Sequence, residues 1–508
     1  MATNEILHLF AKILLTSITN ILELQSMSSR ENDTRRRAVI VGAGPAGLTA
    51  AWRLRKQKDI NSCILESDSV VGGISRTVRI DGWSFDLGGH RFFSKSNLAN
   101  DIWDEMLYPE TFLLRPRKSR IYYAGRYFDY PLKPLNALLN LGIIETIRCI
   151  GSFIWVKVRP PKEQSTFEDW VAARFGWRLY RIFFKTYTEK VWGISTRQLQ
   201  STWAAQRIKS LSLLEAIKDA FGFSKKGKVT TLISKFKYPE YGPGQLWEKA
   251  AAKLREDGVN FYLEDGIQSV SKDGNYYHVT SSKGLRFSAD CIFSSFPLAS
   301  IPKLLNAPQV VQSAGEQLKF RDFLIVAVPI LMNEAVFDDN WIYVHDPKVK
   351  VGRIQNYGSW SPSMVKEGTT CLGLEYFVSK GDELWNSSDE ALISLANREL
   401  GILGLKVSPL KNSGFVVRVE KAYPVYDEFY LQAVGIIKDW LKREHPNWYQ
   451  IGRNGQHRYN NQDHSMLTAV HAVDNYLGVS AEDYWEVNLD DEYHEESKVT
   501  RDAPVFQR

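Results

Sequence analysis

The feature that most constrains this chain is a glycine turn. The run Ala38-Val39-Ile40-Val41 is apolar and rich in β-branched residues, and Gly42-Ala43-Gly44-Pro45-Ala46-Gly47 follows at once, leading into Leu48 to Lys56. The first run predicts a buried parallel strand and the last a helix. Each glycine of the spacing has its own task. Gly42 permits the tight turn, Gly44 lets a pyrophosphate approach the backbone, and Gly47 lets the helix pack on the strand. The helix N-terminus adds unpaired N–H groups and the positive end of its dipole. A second strand, Cys63-Ile64-Leu65, ends in Glu66. That is about 20 residues downstream, where an acid takes ribose hydroxyls. A Rossmann-type α/β domain is expected.

The chain has 508 residues, enough for two or three domains. Its 44% hydrophobic and 24% charged composition is that of a globular protein, and a net charge of +6 suits an anionic small molecule without demanding nucleic acid. Cys63, Cys149, Cys291 and Cys371 are far apart and make no metal-ligand spacing, so no metal is expected and reduced cysteines in the cytoplasm are. Ile6 to Leu24 is apolar but broken by Lys12, Asn20 and Glu23, too polar to span a bilayer. It is expected to be part of a poorly ordered leader, 1–34, with peripheral membrane contact as the alternative.

Further glycines follow. Gly72-Gly73 with Arg76 supplies a second backbone approach and a cation for a pyrophosphate, and Gly88-Gly89-His90 allows close approach to a flat ring. Gly-x-Gly-x-x-Gly, an acid, then GG-x-x-R is the order found in flavoproteins of the glutathione-reductase and amine-oxidase type, so the cofactor implied is FAD. The expected organisation is an FAD-binding domain in three parts (35–130, 236–300, 441–478), a helical substrate domain (131–235), an antiparallel substrate-domain sheet (301–440) and an acidic tail (479–508). Within these, Asn136 to Val158 predicts one long helix. Ser165 with Glu168 predicts a capping box. Ile267 to Val270 predicts a strand, and Val270 is placed with the cofactor contacts.

The segment Gly452-Arg453-Asn454-Gly455-Gln456-His457-Arg458-Tyr459-Asn460-Asn461-Gln462-Asp463-His464-Ser465 precedes an amphipathic helix, Met466 to Leu477. It resembles the C-terminal flavin motif of UDP-galactopyranose mutases. Gly88 to Phe93, Val191-Trp192, Trp203 to Arg207, Phe236 to Trp247, Arg353 and Lys421 to Pro424 resemble that family in the same order. The resemblance covers about 36 to 478. It implies that Gly452, Arg453, Asn461, Gln462, Asp463 and Ser465 join the glycine motifs in holding FAD, and that His90 meets the flavin near its reactive nitrogen. It also implies that Arg207 and Arg353 grip the diphosphate of a nucleotide sugar, that Tyr423 and Tyr459 hold its phosphates, and that Trp192 and Tyr130 line the substrate cleft. Lys133, Thr188 and His457 depart from the family's pattern at recognition positions. The implied reaction is sugar-ring isomerisation, as in polysaccharide biosynthesis, through an adduct on the N5 nitrogen of reduced flavin, with NAD(P)H or another external reductant. The competing reading is an oxidoreductase of the amine-oxidase, protoporphyrinogen-oxidase or carotenoid-desaturase type, which shares the N-terminal motifs.

Overall fold

The computed structural model describes residues 35–130, 132, 134–201, 230–333, 336–411, 413–487 and 496–498. The leader 1–34, Lys133 and Arg207 lie outside them. The opening motif forms as expected: strand β1 (Arg36–Val41), the glycine turn, helix α1 (Pro45–Leu54) and strand β2 (Ile60–Leu65). β1 lies at the centre of a parallel sheet of order Asn260–Tyr262, β2, β1, Cys291–Ser294, Trp448–Gln450. Every one of these strands runs the same way, so their carboxyl ends share one edge. The chain passes from β1 to β2 on one side and returns hundreds of residues later on the other. That reversal makes a crevice at the carboxyl end of β1.

Gly47 is what lets α1 lie on β1. A Cβ there would stand 1.8 Å from the Gly42 carbonyl oxygen. The last helix, Gln462–Tyr476, packs beside α1 and is tied to it by Arg53 donating to Asp474 at 2.8 Å. It starts a turn earlier than Met466. Asn461 caps it, accepting from the backbone of His464, whose ring accepts in return from the Asn461 N–H.

A larger mixed sheet faces the first. Its order is Ser408–Pro409, Phe320–Leu331, Thr369–Val378, Arg353–Asn356, Trp341–Val344, Ser119–Tyr123, Arg126–Asp129, with Phe415–Pro424 also pairing on Phe320–Leu331. Two points differ from the sequence expectation. The strands of 119–129, grouped with the nucleotide-binding segment, pair here. The contact between Trp341–Val344 and Ser119–Tyr123 is parallel, while the rest is antiparallel. The helical region corrects two more expectations. The single helix over 136–158 is divided into Pro134–Leu141 and Ile143–Val158 by Gly142, whose φ of 82° no helix accommodates. The next helix, Phe167–Phe175, is capped by Thr166, which accepts from the Asp169 N–H at 3.2 Å, and not by Ser165. Glu168 turns inward to accept from the Tyr180 hydroxyl at 2.7 Å.

The acidic tail also begins differently. Trp485 is buried, and Arg458 donates to the Val487 carbonyl at 3.1 Å, so the chain is docked through 487. The aromatic pair Tyr484-Trp485 supplies burial that the acidic composition concealed. Among the described residues, no helix is long and apolar enough to cross a membrane.

Gly47→Ala should lower the unfolding free energy by roughly 2–3 kcal/mol, because helix and strand must part. Gly435→Ala, in helix Tyr430–Glu444 with no atom near its Cβ position, should raise it by about 0.5–1 kcal/mol. Urea unfolding of the two variants checks the opposite signs.

Candidate active site

The carboxyl ends of four parallel strands open into one cavity of ≈ 590 Å³. Val41, Gly42 and Gly44 come from β1 and the turn after it, Leu65 to Ser67 from β2, Ser295 to Pro297 from Cys291–Ser294, and Gly452 to Asn454 from Trp448–Gln450. The mixed sheet supplies the facing wall with Phe323, Arg353, Arg418, Val419, Ala422 and Tyr423. The cavity is therefore a groove between two sheets, with the crevice of the parallel sheet as its floor.

Most of the residues singled out in the sequence reach it. Gly42, Gly44, Glu66, Gly73, Arg76, Gly88, Gly89, His90, Arg353, Tyr423, Gly452, Arg453, Tyr459, Asn461, Gln462 and Ser465 line the cavity. Gly44 and Gly73 face each other, so that a Cβ on Gly73 would lie 3.3 Å from the Gly44 Cα. The gap is held by the Gly72 N–H donating to the Ala43 carbonyl at 2.8 Å. Gly47 and Gly72 thus shape the floor without lining it. Glu66 ties the same loop down, accepting from the N–H of Ala43 at 2.6 Å and of Asp68 at 2.8 Å. Arg76 is ion-paired with Asp68.

Other residues fall elsewhere. Val270 does not line the cavity. It is buried opposite Val279 between strands Ile267–Asp273 and Tyr276–Ser281, and Ile267 at the strand's start reaches the cavity instead. Asp463 is buried in the first turn of the last helix. Trp192 stands behind the cavity, its ring edge-on to Tyr426 and Tyr459. Tyr130 lies 5.0 Å from the Tyr343 ring, outside the lining. Thr188 and His457 are buried and do not line it either.

The facing wall is cationic and aromatic. Arg353 lies directly across the strand pair from Glu375, and the two side chains form a buried ion pair. Burial works against the charge of Arg353, but Glu375 and the surrounding tyrosines outweigh it and hold the guanidinium well above its ordinary pKa. Glu375 was not expected. Its signal is a lone carboxylate in the apolar run Cys371 to Val378. Arg453 lies over two tyrosine rings, 4.9 Å from the centre of Tyr423 and 4.2 Å from that of Tyr459. Those rings stack 5.7 Å apart. The Nε and Nη2 atoms of Arg453 are buried with no hydrogen-bond partner, which marks a guanidinium arranged for an acceptor from outside the chain. Burial raises the Tyr423 phenol well above its usual range, so it remains a hydrogen-bond donor.

His90 sits between floor and wall. Its Nε2 is 3.0 Å from the Leu87 carbonyl, which requires the proton on Nε2 and leaves Nδ1 as an acceptor, 3.5 Å from the Ser75 hydroxyl. Burial, with the charges of Arg453 and Arg353 acting the same way, lowers its pKa to about 4. It is a neutral imidazole near pH 7. Among the described residues, no cluster of His, Cys, Asp and Glu is placed to hold a metal.

Residues 40–106 match the family described as the NAD(P)-binding Rossmann-like domain. The chain is 21% identical over 290 residues to "Probable flavin-containing monoamine oxidase A" of Dictyostelium discoideum, an alignment covering 54% of this chain and 59% of that protein's length. It is 22% identical over 468 residues to protoporphyrinogen oxidase 2, chloroplastic/mitochondrial, of Arabidopsis thaliana, covering 82% of this chain and 90% of that one. The crystal structure of reduced UDP-galactopyranose mutase superposes with a TM-score of 0.78 at 22% identity, over 90% of this chain and 96% of that one. The chain has the fold of that mutase structure. The parallel sheet and its glycine turn form the Rossmann-like half and the mixed sheet forms the other.

Because His90 is neutral in the folded state with a pKa below the ordinary 6.5, the folded protein binds fewer protons than the unfolded chain between those values. Its contribution to stability is present above pH 6.5 and is lost as the pH falls toward 4. His90→Gln should therefore lose less stability than the native protein between pH 7 and pH 5, as read by urea unfolding at both. Equal losses would contradict a buried neutral ring.

Proposed function

We propose that this protein is an FAD-dependent enzyme acting on an anionic substrate, a nucleotide sugar, as an isomerase of the UDP-galactopyranose mutase kind. The observation that carries the reading is a cavity lined by both Arg353 and Arg453, the second with its Nε and Nη2 atoms buried and without a hydrogen-bond partner. Leaving a desolvated guanidinium unpaired is costly, and an anion bound in the cavity removes that cost.

The chain's own residues fit FAD. The opposed Gly44 and Gly73 leave room for a pyrophosphate at the N-terminus of α1, and Glu66 stands at the end of β2 for a ribose. Gly88 to His90, Asn461 and Gln462 are the lining groups for the ring end. Reduced flavin supplies, when bound, an electron-rich ring nitrogen and is restored without net redox change in a mutase. The protein's part is positioning and charge. Arg353 neutralises a diphosphate as it leaves and returns, and the Tyr423 and Tyr459 phenols donate to its oxygens, with Arg453 placed for the cofactor. His90, neutral, offers its Nδ1 as an acceptor and carries no charge to compete for the phosphates. Arg207 is proposed as a further diphosphate ligand on the resemblance alone.

The second reading, an FAD-dependent oxidoreductase, is supported by the two sequence relatives described above, which are named oxidases. Calorimetric titration with UDP separates the two. The native protein should bind UDP, and Arg353→Ala should weaken binding at least tenfold while the flavin content stays unchanged. A protein that ignores UDP, or an Arg353→Ala variant with native affinity, contradicts the nucleotide-sugar reading and leaves the oxidoreductase.

A further inference from the structure

Helix Ile143–Val158 is apolar on two faces. Cys149, Phe153 and Val156 are buried against the molecule. On the opposite side Ile143, Ile147, Ile150, Ile154 and Val158 are between 45% and 81% exposed, flanked by Ile144 and Trp155, and Leu139 of the preceding helix continues the patch. A surface helix ordinarily has one apolar face, and a second, contiguous exposed patch of this kind marks an interface.

The spacing of the outer residues says what kind. Ile143, Ile147, Ile150 and Ile154 alternate steps of four and three, the seam by which one helix packs on another. Extended to Val158, the apolar stripe is nearly the same from both ends. Turning the helix end for end about the point between Ile150 and Gly151 puts Ile143 on Val158, Ile147 on Ile154 and Ile150 over Gly151. A twofold interface requires a surface complementary to itself in this way, whereas a bilayer does not. Gly151 lies at the centre, exposed, with no atom within 4 Å of its Cβ position. The absence of a side chain there lets two helix axes approach closely.

We propose that this face binds a second copy of the chain, helix against antiparallel helix about a twofold axis. The area is adequate. Eight large side chains each leave on the order of 100 Å² uncovered, roughly 800 Å² per partner, which is the size of a standard specific interface.

Sedimentation of the full-length protein tests this. The native chain should sediment as a dimer, and Ile147→Glu combined with Ile154→Glu should sediment as a monomer, with dissociation favoured at least 100-fold and an unchanged circular dichroism spectrum. Gly151→Cys gives an independent reading in an otherwise native surface. Because position 151 lies beside the axis, mild oxidation should cross-link two chains through it, while Val310→Cys, exposed elsewhere, should give no such product. A monomeric native protein overturns the proposal, as does a dimer that survives the double substitution without a Gly151→Cys cross-link. So does a monomer that instead pellets with vesicles containing phosphatidylserine.

Discussion

Arg353 enters a buried wall because Glu375 stands opposite it on the neighbouring strand. A lone guanidinium would not be kept there. A carboxylate at the paired position, itself held by Gln355 at 2.8 Å, fixes both its charge and its direction. The pair explains why the mixed sheet is more than a scaffold. The strand Thr369–Val378 is uncharged but for Glu375, and Arg353 paired with that carboxylate brings charge in where the sheet faces the cavity. Tyr423, Tyr459 and Arg453 assemble around that point from other segments, the tyrosines stacked and the second arginine laid over both rings.

The opposite wall rests on a different constraint. Parallel strands all end on one edge, so segments near 42, 66, 295 and 452 arrive together although the chain separates them by hundreds of residues. Glycine is needed where two of these segments meet, at Gly44 and Gly73, and where helix meets strand, at Gly47. The cavity is thus made of one wall that offers backbone groups to phosphates and another that offers cations and phenols. His90 lies at their junction and is kept neutral by both.

Legibility in the sequence followed the physics of each feature. The strand, turn, helix and acid of residues 36–66 were readable because glycine spacing and apolar runs are local signals, as was the amphipathic period of the last helix, though not its first turn, which Asn461 caps. Features that depend on a distant partner were not. Val270 was placed with the cofactor contacts, but strand residues alternate sides, and only the pairing with Val279 shows which side it takes. Trp192 and Tyr130 were assigned to the cleft, yet each packs against another aromatic ring instead. Glu375 was passed over because a carboxylate in an apolar run has meaning only once Arg353 is seen across from it. The break at Gly142 and the cap at Thr166 were local but outweighed by stronger-looking patterns beside them, a continuous apolar period in one case and a Ser-x-x-Glu spacing in the other. The buried Trp485 was hidden by its acidic neighbours.

The central claim is that the groove between the two sheets holds a flavin. The direct measurement is the visible spectrum of the purified protein together with mass spectrometry of the small molecule released on denaturation. The account predicts a yellow protein that releases FAD at about one per chain. A colourless protein that takes up no FAD when the cofactor is supplied would contradict it.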